Sequence, residues 1–219
     1  MSEFKKRIIT SFFLLLIIFF SFLNLISLSL FLFILTFITL VELHNMYKKI
    51  YKKKFFFLFV TNFFSVLYLG YFSLTVILFL SNEFIIDKFV VLYLLIICIS
   101  TDIGGYVFGK IIGGKKLTKI SPNKTYSGSM GSFLLSILIG YLCYKFQSNL
   151  LLLNINIFIL IIIISFMSQV GDLFISLLKR KAKIKDTGSI LPGHGGVLDR
   201  IDGILFALPI GLLIIKMYS

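Results

Sequence analysis

Residues 8–41 carry no charged side chain, and the rest of the chain is punctuated by further apolar stretches of helix length. A bilayer core is crossed by about 20 apolar residues in helical form, with a range of about 17–25. In that medium a helix satisfies its own backbone N–H and C=O groups without water. The chain is therefore expected to fold as an all-α, polytopic transmembrane helical bundle. Composition agrees: 58% of residues are hydrophobic and 14% charged, with a mean hydropathy of +1.04. Soluble domains carry about 25% charged residues. The 26 Phe and 10 Tyr are the reverse of a disordered composition.

Residues 8–41 are too long for one crossing and hold Asn24 near their middle, so they read as two short spans forming a hairpin. Residues 55–80 make a third span, 89–109 a fourth, 129–144 a short fifth, 150–173 a sixth and 203–218 a short seventh. The expected count is seven, within a range of six to eight. Lys5, Lys6 and Arg7 precede an apolar run longer than the about 7–15 residues of a signal peptide, and no small-residue cleavage site follows. That segment is expected to stay as a membrane anchor. Cys98 and Cys143 lie in apolar runs and read as small hydrophobes.

The net charge is +13, from 22 Lys and Arg against 9 Asp and Glu. Cytoplasmic loops of membrane proteins hold the excess of Lys and Arg. With seven spans and the N-terminus inside, every basic residue except Lys88, Lys145 and Lys216 falls on one side, in segments 1–7, 44–54, 110–124 and 179–200. Splitting residues 55–80 into two spans would invert everything downstream and destroy this sidedness.

The acidic residues can be read singly. Glu3, Glu42, Glu83 and Asp87 lie at span ends or in loops and read as solvated interface residues. Asp102 and Asp172 fall inside spans, where a carboxylate is costly unless it faces a polar cavity or a partner. They are candidates for a site. Asp199 and Asp202, at the start of the last span, share a helix face. They read either as dipole partners of that helix N-terminus or, with Asp172, as ligands of a hard cation. Before them, Lys179, Arg180, Lys181, Lys183 and Lys185 lead into a turn with Gly193, Gly195 and Gly196. Such a turn can bring N–H groups close to phosphate oxygens, and Arg200 can clamp a phosphate with two bonds. The alternative is a positively charged cytoplasmic loop with a flexible linker. No P-loop or dinucleotide fingerprint is present. Gly105-xxx-Gly109 and Gly109-xxx-Gly113 read as close helix packing.

Taken together, Ser176, Lys179, Arg180, Lys185, Asp186, Gly188, Leu191, Pro192, His194, Gly195, Gly196, Asp199, Arg200 and Asp202 resemble the signature of the phosphatidate cytidylyltransferases, or CDP-diacylglycerol synthases. Residues 102–109, Lys116, Leu117 and residues 121–128 resemble that family's other cytoplasmic region, usually Ser-Pro-Gly-Lys-Thr-Trp-Glu-Gly. Asn123, Tyr126 and Ser127 depart from it, so Ser127 takes no acid role. The resemblance covers roughly residues 85–219.

It implies transfer of the cytidylyl group of CTP to phosphatidate, giving CDP-diacylglycerol and pyrophosphate for phospholipid biosynthesis. It implies Asp172 and Asp199 as ligands of Mg²⁺, with Asp202 close by or sharing it, in a magnesium pair or a mixed-cation site. Lys179, Arg180, Lys185 and Arg200 would hold the CTP phosphates or the lipid headgroup, with Asp186 in the same catalytic set. His194 would be a proton shuttle or hydrogen-bond donor. Asp102, Ser121, Lys124, Thr125, Gly195 and Gly196 would line the substrate pocket. Residues 1–80 then form N-terminal membrane-spanning helices, and residues 81–219 a catalytic membrane domain with cytoplasmic loops 110–124 and 179–200. The expected partners are CTP, phosphatidate and the bilayer, with a homodimer open and no nucleic acid. The expected location is the plasma membrane, active site facing the cytoplasm. The alternatives are a CTP-dependent lipid kinase of the polyprenol type and an ion or solute transporter. A transporter predicts carboxylates spread through the membrane depth and pseudo-symmetric halves, which the sequence does not show.

Overall fold

The computed structural model describes residues 3–81, 84–118, 121, 124–146, 156–193 and 195–218; for residues 3–8, 11 and 84–86 only the backbone is described. The helices are α1 Glu3–Ser21, α2 Leu25–Tyr51, α3 Phe55–Leu80, α4 Phe84–Ile111, α5 Tyr126–Phe146, α6 Ile157–Lys181 and α7 Leu198–Tyr218. Among the described residues there is no strand, only isolated bridges pairing Lys116 with Thr125 and Leu191 with Gly195. Among the described residues six helices are long and apolar enough to cross a membrane, and α1 adds the shorter apolar stretch Phe12–Ser21.

The first two helices meet at the expected turn. Asn24 is extended and its side chain accepts the Ser27 N–H at 2.8 Å, capping α2. α2 then continues past the end of the apolar run at Val41 to Tyr51, because residues 25–51 contain no Gly or Pro to break it. Lys48 and Lys49 favour its C-terminal dipole, and Lys52 ends it at φ 41, a left-handed conformation usually left to glycine. The last helix also differs from expectation. It begins at Leu198 rather than near residue 203, so Asp199 and Asp202 lie in its opening turns. The expected start of the sixth span at residue 150 lies outside the described residues, which resume before α6 at Ile157.

The chain divides into two compact units. Unit one is Met1–Phe84 with Leu178–Ile201. Within it α2 buries Leu28, Leu32, Thr39, Glu42, Leu43, Met46 and Tyr47, a stripe at three- and four-residue spacing. It packs against α3, whose Ser65, Leu69, Phe72, Val76 and Leu80 are buried, and Tyr47 Oη lies 3.0 Å from Ser65 Oγ. The opposite face of α3 exposes Phe55, Phe56, Phe59, Phe63 and Phe64. Apolar surface on that scale suits acyl chains rather than water.

Unit two is Ile85–Leu177 with Asp202–Ser219, and its helices touch through small residues. A Cβ on Gly104 would stand 2.5 Å from the Gly131 carbonyl oxygen, and one on Gly105 2.8 Å from Ser132 Oγ. α4 and α5 therefore meet backbone to backbone, as the Gly105/Gly109 spacing predicts. The Gly109/Gly113 pair does no such work. Gly113 lies beyond α4 at φ 63 with open space around it. α6 and α7 meet the same way: a Cβ on Gly171 would lie 2.5 Å from the Asp202 carbonyl and 3.1 Å from Gly203 Cα. Hydroxyls stitch the remaining contacts. Ser132 donates to the Thr101 carbonyl at 2.7 Å, and Thr101 to Ser165 at 3.0 Å. Cys98 and Cys143 are both free.

Candidate functional site

In unit two, the connection from α4 to α5 folds back on itself. The Leu117 N–H donates to the Lys124 carbonyl at 2.8 Å, the Lys124 N–H to Ser121 at 3.0 Å and the Tyr126 N–H to Lys115 at 3.1 Å. Thr125 starts α5, its hydroxyl oxygen accepting the Gly128 N–H at 3.0 Å. Ser127 donates to the Gly113 carbonyl, tying α5 to the end of α4. This folding delivers Lys124 to Asp172 on α6, where ammonium and carboxylate form an ion pair, each side chain about a quarter to a third exposed.

Around that pair opens a cavity of about 300 Å³ whose lining includes Asp102, Ser121, Lys124, Thr125, Gln169 and Asp172. Five of these are residues singled out from the sequence. Gln169 is the addition. Its Oε1 accepts the Ser129 hydroxyl at 2.6 Å, and its buried Nε2 has no hydrogen-bond partner among the described residues. Its place three residues before Asp172, on the same helix face, was the available signal. The other Asp172 oxygen accepts the Ser176 hydroxyl at 3.2 Å.

Two carboxylates against one ammonium leave these charged groups with a net negative balance. Oxygen donors of this kind suit a hard divalent cation, which takes one or two protein carboxylates and completes its shell with substrate phosphates and water. Among the described residues no three Asp, Glu, His or Cys side chains form a metal-holding group. Asp202 stands at the α6–α7 contact, one residue before Gly203, whose N–H it accepts at 2.8 Å.

In unit one, Asp199 is held on both oxygens. Oδ1 takes the Lys179 ammonium at 2.7 Å; Oδ2 faces the Thr187 N–H at 2.8 Å, the Thr187 hydroxyl at 3.0 Å and the Gly196 N–H at 3.0 Å. Its side chain is 7% exposed. Beside it lies a carboxylate that the sequence reading placed at a solvated interface. Glu42 is 2% exposed, and it accepts the Val197 and Leu198 N–H groups, each at 2.9 Å, and the Thr187 hydroxyl at 2.7 Å.

These bonds alter the expected use of the glycine-rich turn. The Gly195 N–H goes to the Leu191 carbonyl at 3.1 Å and the Gly196 N–H to Asp199. With Val197 and Leu198 on Glu42, the N–H groups that open α7 are committed to protein acceptors rather than presented to phosphate. The physical reason is that a carboxylate at a helix N-terminus gains charge-assisted bonds and the helix dipole together. Arg180, Lys185, Asp186 and Arg200 lie exposed on this segment. His194, Pro122, Asn123 and Glu83 lie outside the described residues.

Comparison with known proteins adds a lineage. Residues 51–218 match the model of the Cytidylyltransferase family. A phosphatidate cytidylyltransferase of Staphylococcus haemolyticus is 42% identical over 132 residues, covering 58% of this chain and 49% of that protein. The Bacillus subtilis protein of the same name is 36% identical over 138 residues, covering 61% and 51%. That of Rickettsia bellii is 40% identical over 151 residues, covering 66% and 65%. The chain thus spans about half the length of the first two relatives. Because the family match runs through most of the sequence, including the cavity lining and the Asp199 turn, the chain belongs to the cytidylyltransferase family.

Proposed function

We propose that this protein transfers the cytidylyl group of CTP to phosphatidate, releasing pyrophosphate. The observation that carries the reading is the cavity in which Asp102, Lys124 and Asp172 converge, in a chain of this family. In the reaction a phosphate oxygen of phosphatidate bonds to the α-phosphorus of CTP. The bond from that phosphorus to the bridging oxygen breaks, and pyrophosphate leaves with the electron pair. A phosphate monoester is largely ionised at neutral pH, with its second pKa about 6, so no strong general base is needed. The protein's task is to place the two substrates and stabilise charge where it develops.

The cavity is equipped for that task. Lys124 can pass its ammonium from Asp172 to a substrate phosphate across a short distance, while Ser121 and Thr125 offer hydroxyls in the same lining. Magnesium arriving with the triphosphate would be held by Asp172, with Asp102 facing the same cavity and Asp202 on the neighbouring helix. Bound there, it neutralises phosphate charge. In unit one, Lys179 orients Asp199, and the exposed Arg180, Lys185 and Arg200 supply positive charge for substrate phosphates. The sidedness of Lys and Arg supports a plasma-membrane orientation with loops 110–124 and 179–200 in the cytoplasm. A reporter fused at residue 86 should then read as outside, and an inside result would overturn that topology.

The activity is tested with purified protein in detergent–lipid micelles containing phosphatidate, Mg²⁺ and CTP labelled in the cytidine. Label in the lipid product is the expected result. A parallel reaction with CTP labelled at the γ-phosphate tests the alternative: label reaching the lipid only from that nucleotide would make the protein a lipid kinase, and label reaching it from neither would overturn the reading.

A further inference from the structure

We propose that Glu42 is a positioning residue for the Asp199 turn, a role that rests on the reaction proposed above. Glu42 belongs to α2 and precedes the family-matched segment, which begins at residue 51. Its carboxylate nevertheless spends both oxygens on the turn. One accepts the Val197 N–H, and the other accepts the Leu198 N–H and the Thr187 hydroxyl. Thr187 in turn gives its backbone N–H to Asp199 Oδ2, and Gly196 does the same from the other side. Glu42 thus fixes the two residues that open α7, and through Thr187 the rotamer of the carboxylate that holds Lys179.

Two signature glycines take their explanation from this contact. A Cβ on Gly188 would lie 2.7 Å from Glu42 Oε1, and one on Gly196 would fall against Thr187 Oγ1 first and 2.6 Å from Glu42 Oε2. Neither residue has a left-handed backbone. Gly188 is glycine because the buried carboxylate sits where its side chain would begin, and Gly196 because the Thr187 hydroxyl and that carboxylate together fill the space. The Thr187 hydroxyl has one hydrogen and meets two carboxylates, at 2.7 Å from Glu42 and 3.0 Å from Asp199, so the shorter contact gives the preferred acceptor.

The test uses the full chain in micelles with two variants and a rescue. Glu42→Gln replaces one acceptor oxygen with an NH₂ group facing other donors; Thr187→Val removes the hydroxyl at almost constant volume, a milder change should Glu42→Gln fold poorly. Both should lower kcat about 30-fold while KM for CTP stays within about twofold, the signature of a misplaced group rather than a lost binding contact. Hydrogen exchange at the 196–198 amides should accelerate about 10-fold in both, with other protected regions unchanged. Thr187→Ser should restore both readouts. Unchanged kcat in the two variants, a kcat loss without faster exchange, or failure of Thr187→Ser to rescue would each overturn the proposal. A wild-type protein that makes no CDP-lipid would remove the reaction, while the exchange measurement still decides whether Glu42 holds the turn.

Discussion

Asp172 and Asp199 are both aspartates beside a lysine, yet their surroundings give them opposite freedoms. Asp172 pairs with Lys124 at the edge of a cavity and accepts one hydroxyl, with its side chain 32% exposed. Asp199 is 7% exposed and has both oxygens engaged, one by an ammonium and the other by two backbone N–H groups. A carboxylate with exposed surface in a cavity can exchange partners during a reaction. One whose two oxygens are both engaged in a buried turn acts chiefly by holding other groups in place. Identity and charge do not separate these roles; satisfaction of the lone pairs does.

The largest expected effect tests the open side. Asp172→Asn should lower turnover about 1000-fold, in the range seen when preorganised electrostatic groups are removed. Its thermal unfolding midpoint should stay near wild type, because a partly exposed ion pair contributes at most about 1 kcal/mol. A large drop in midpoint would erase the contrast with Asp199. Asp199→Asn should do the reverse in stability. It leaves Lys179 without its counter-charge in a site where that side chain is 15% exposed, at a cost of about 3 kcal/mol, measurable as a lowered midpoint in micelles. A midpoint equal to wild type would show that the turn does not depend on this pair.

Smaller effects sharpen the same division. Gly171→Ala would push a methyl into the Asp202 carbonyl and should cost about 1–3 kcal/mol by forcing α6 and α7 apart, read as a lower midpoint. Lys124→Met should raise KM for CTP about 10-fold with folding intact, since the ammonium is assigned to substrate phosphate. Unchanged KM would leave Lys124 as a structural partner of Asp172 alone. Gly70→Ala, on α3 with nothing within 4 Å of the added carbon, should be neutral or stabilising by about 0.5–1 kcal/mol.

Much of the fold and part of the site are legible in the amino-acid order, whereas the contrast between Asp172 and Asp199 is not: the resemblance implies both as metal ligands. The apolar runs specified the helices, and Asn24 marked the turn between the first two because its side chain can satisfy a helix start. Asp102 and Asp172 stand out because charge is expensive in apolar surroundings, and Lys124 through the resemblance of residues 121–128 to the family's second region. Glu42 does not, for a physical reason. It lies beside the end of an uncharged run, where a solvated carboxylate is ordinary, and its partners are 145 to 156 residues further along the chain. Its phase was the overlooked clue: it falls three residues after Thr39 and four before Met46, within the buried stripe of α2. The partners of the glycine-rich turn are hidden for a related reason. Gly196 looks the same in sequence whether its missing side chain admits a phosphate or a distant carboxylate.

That long separation also sets an order of events during synthesis. At about 5–20 residues per second, Glu42 emerges roughly 7 to 30 s before Thr187, its partner 145 residues later. Throughout that interval α2 carries a carboxylate with no acceptor duty to perform, next to a segment already suited to lipid. The nascent helix must keep that group wet near the headgroups until the rest of the polypeptide arrives. The Asp199 turn therefore locks only after residue 187 has been made, and a ribosome stalled before it would hold a chain with helices α1–α3 already made but no such turn.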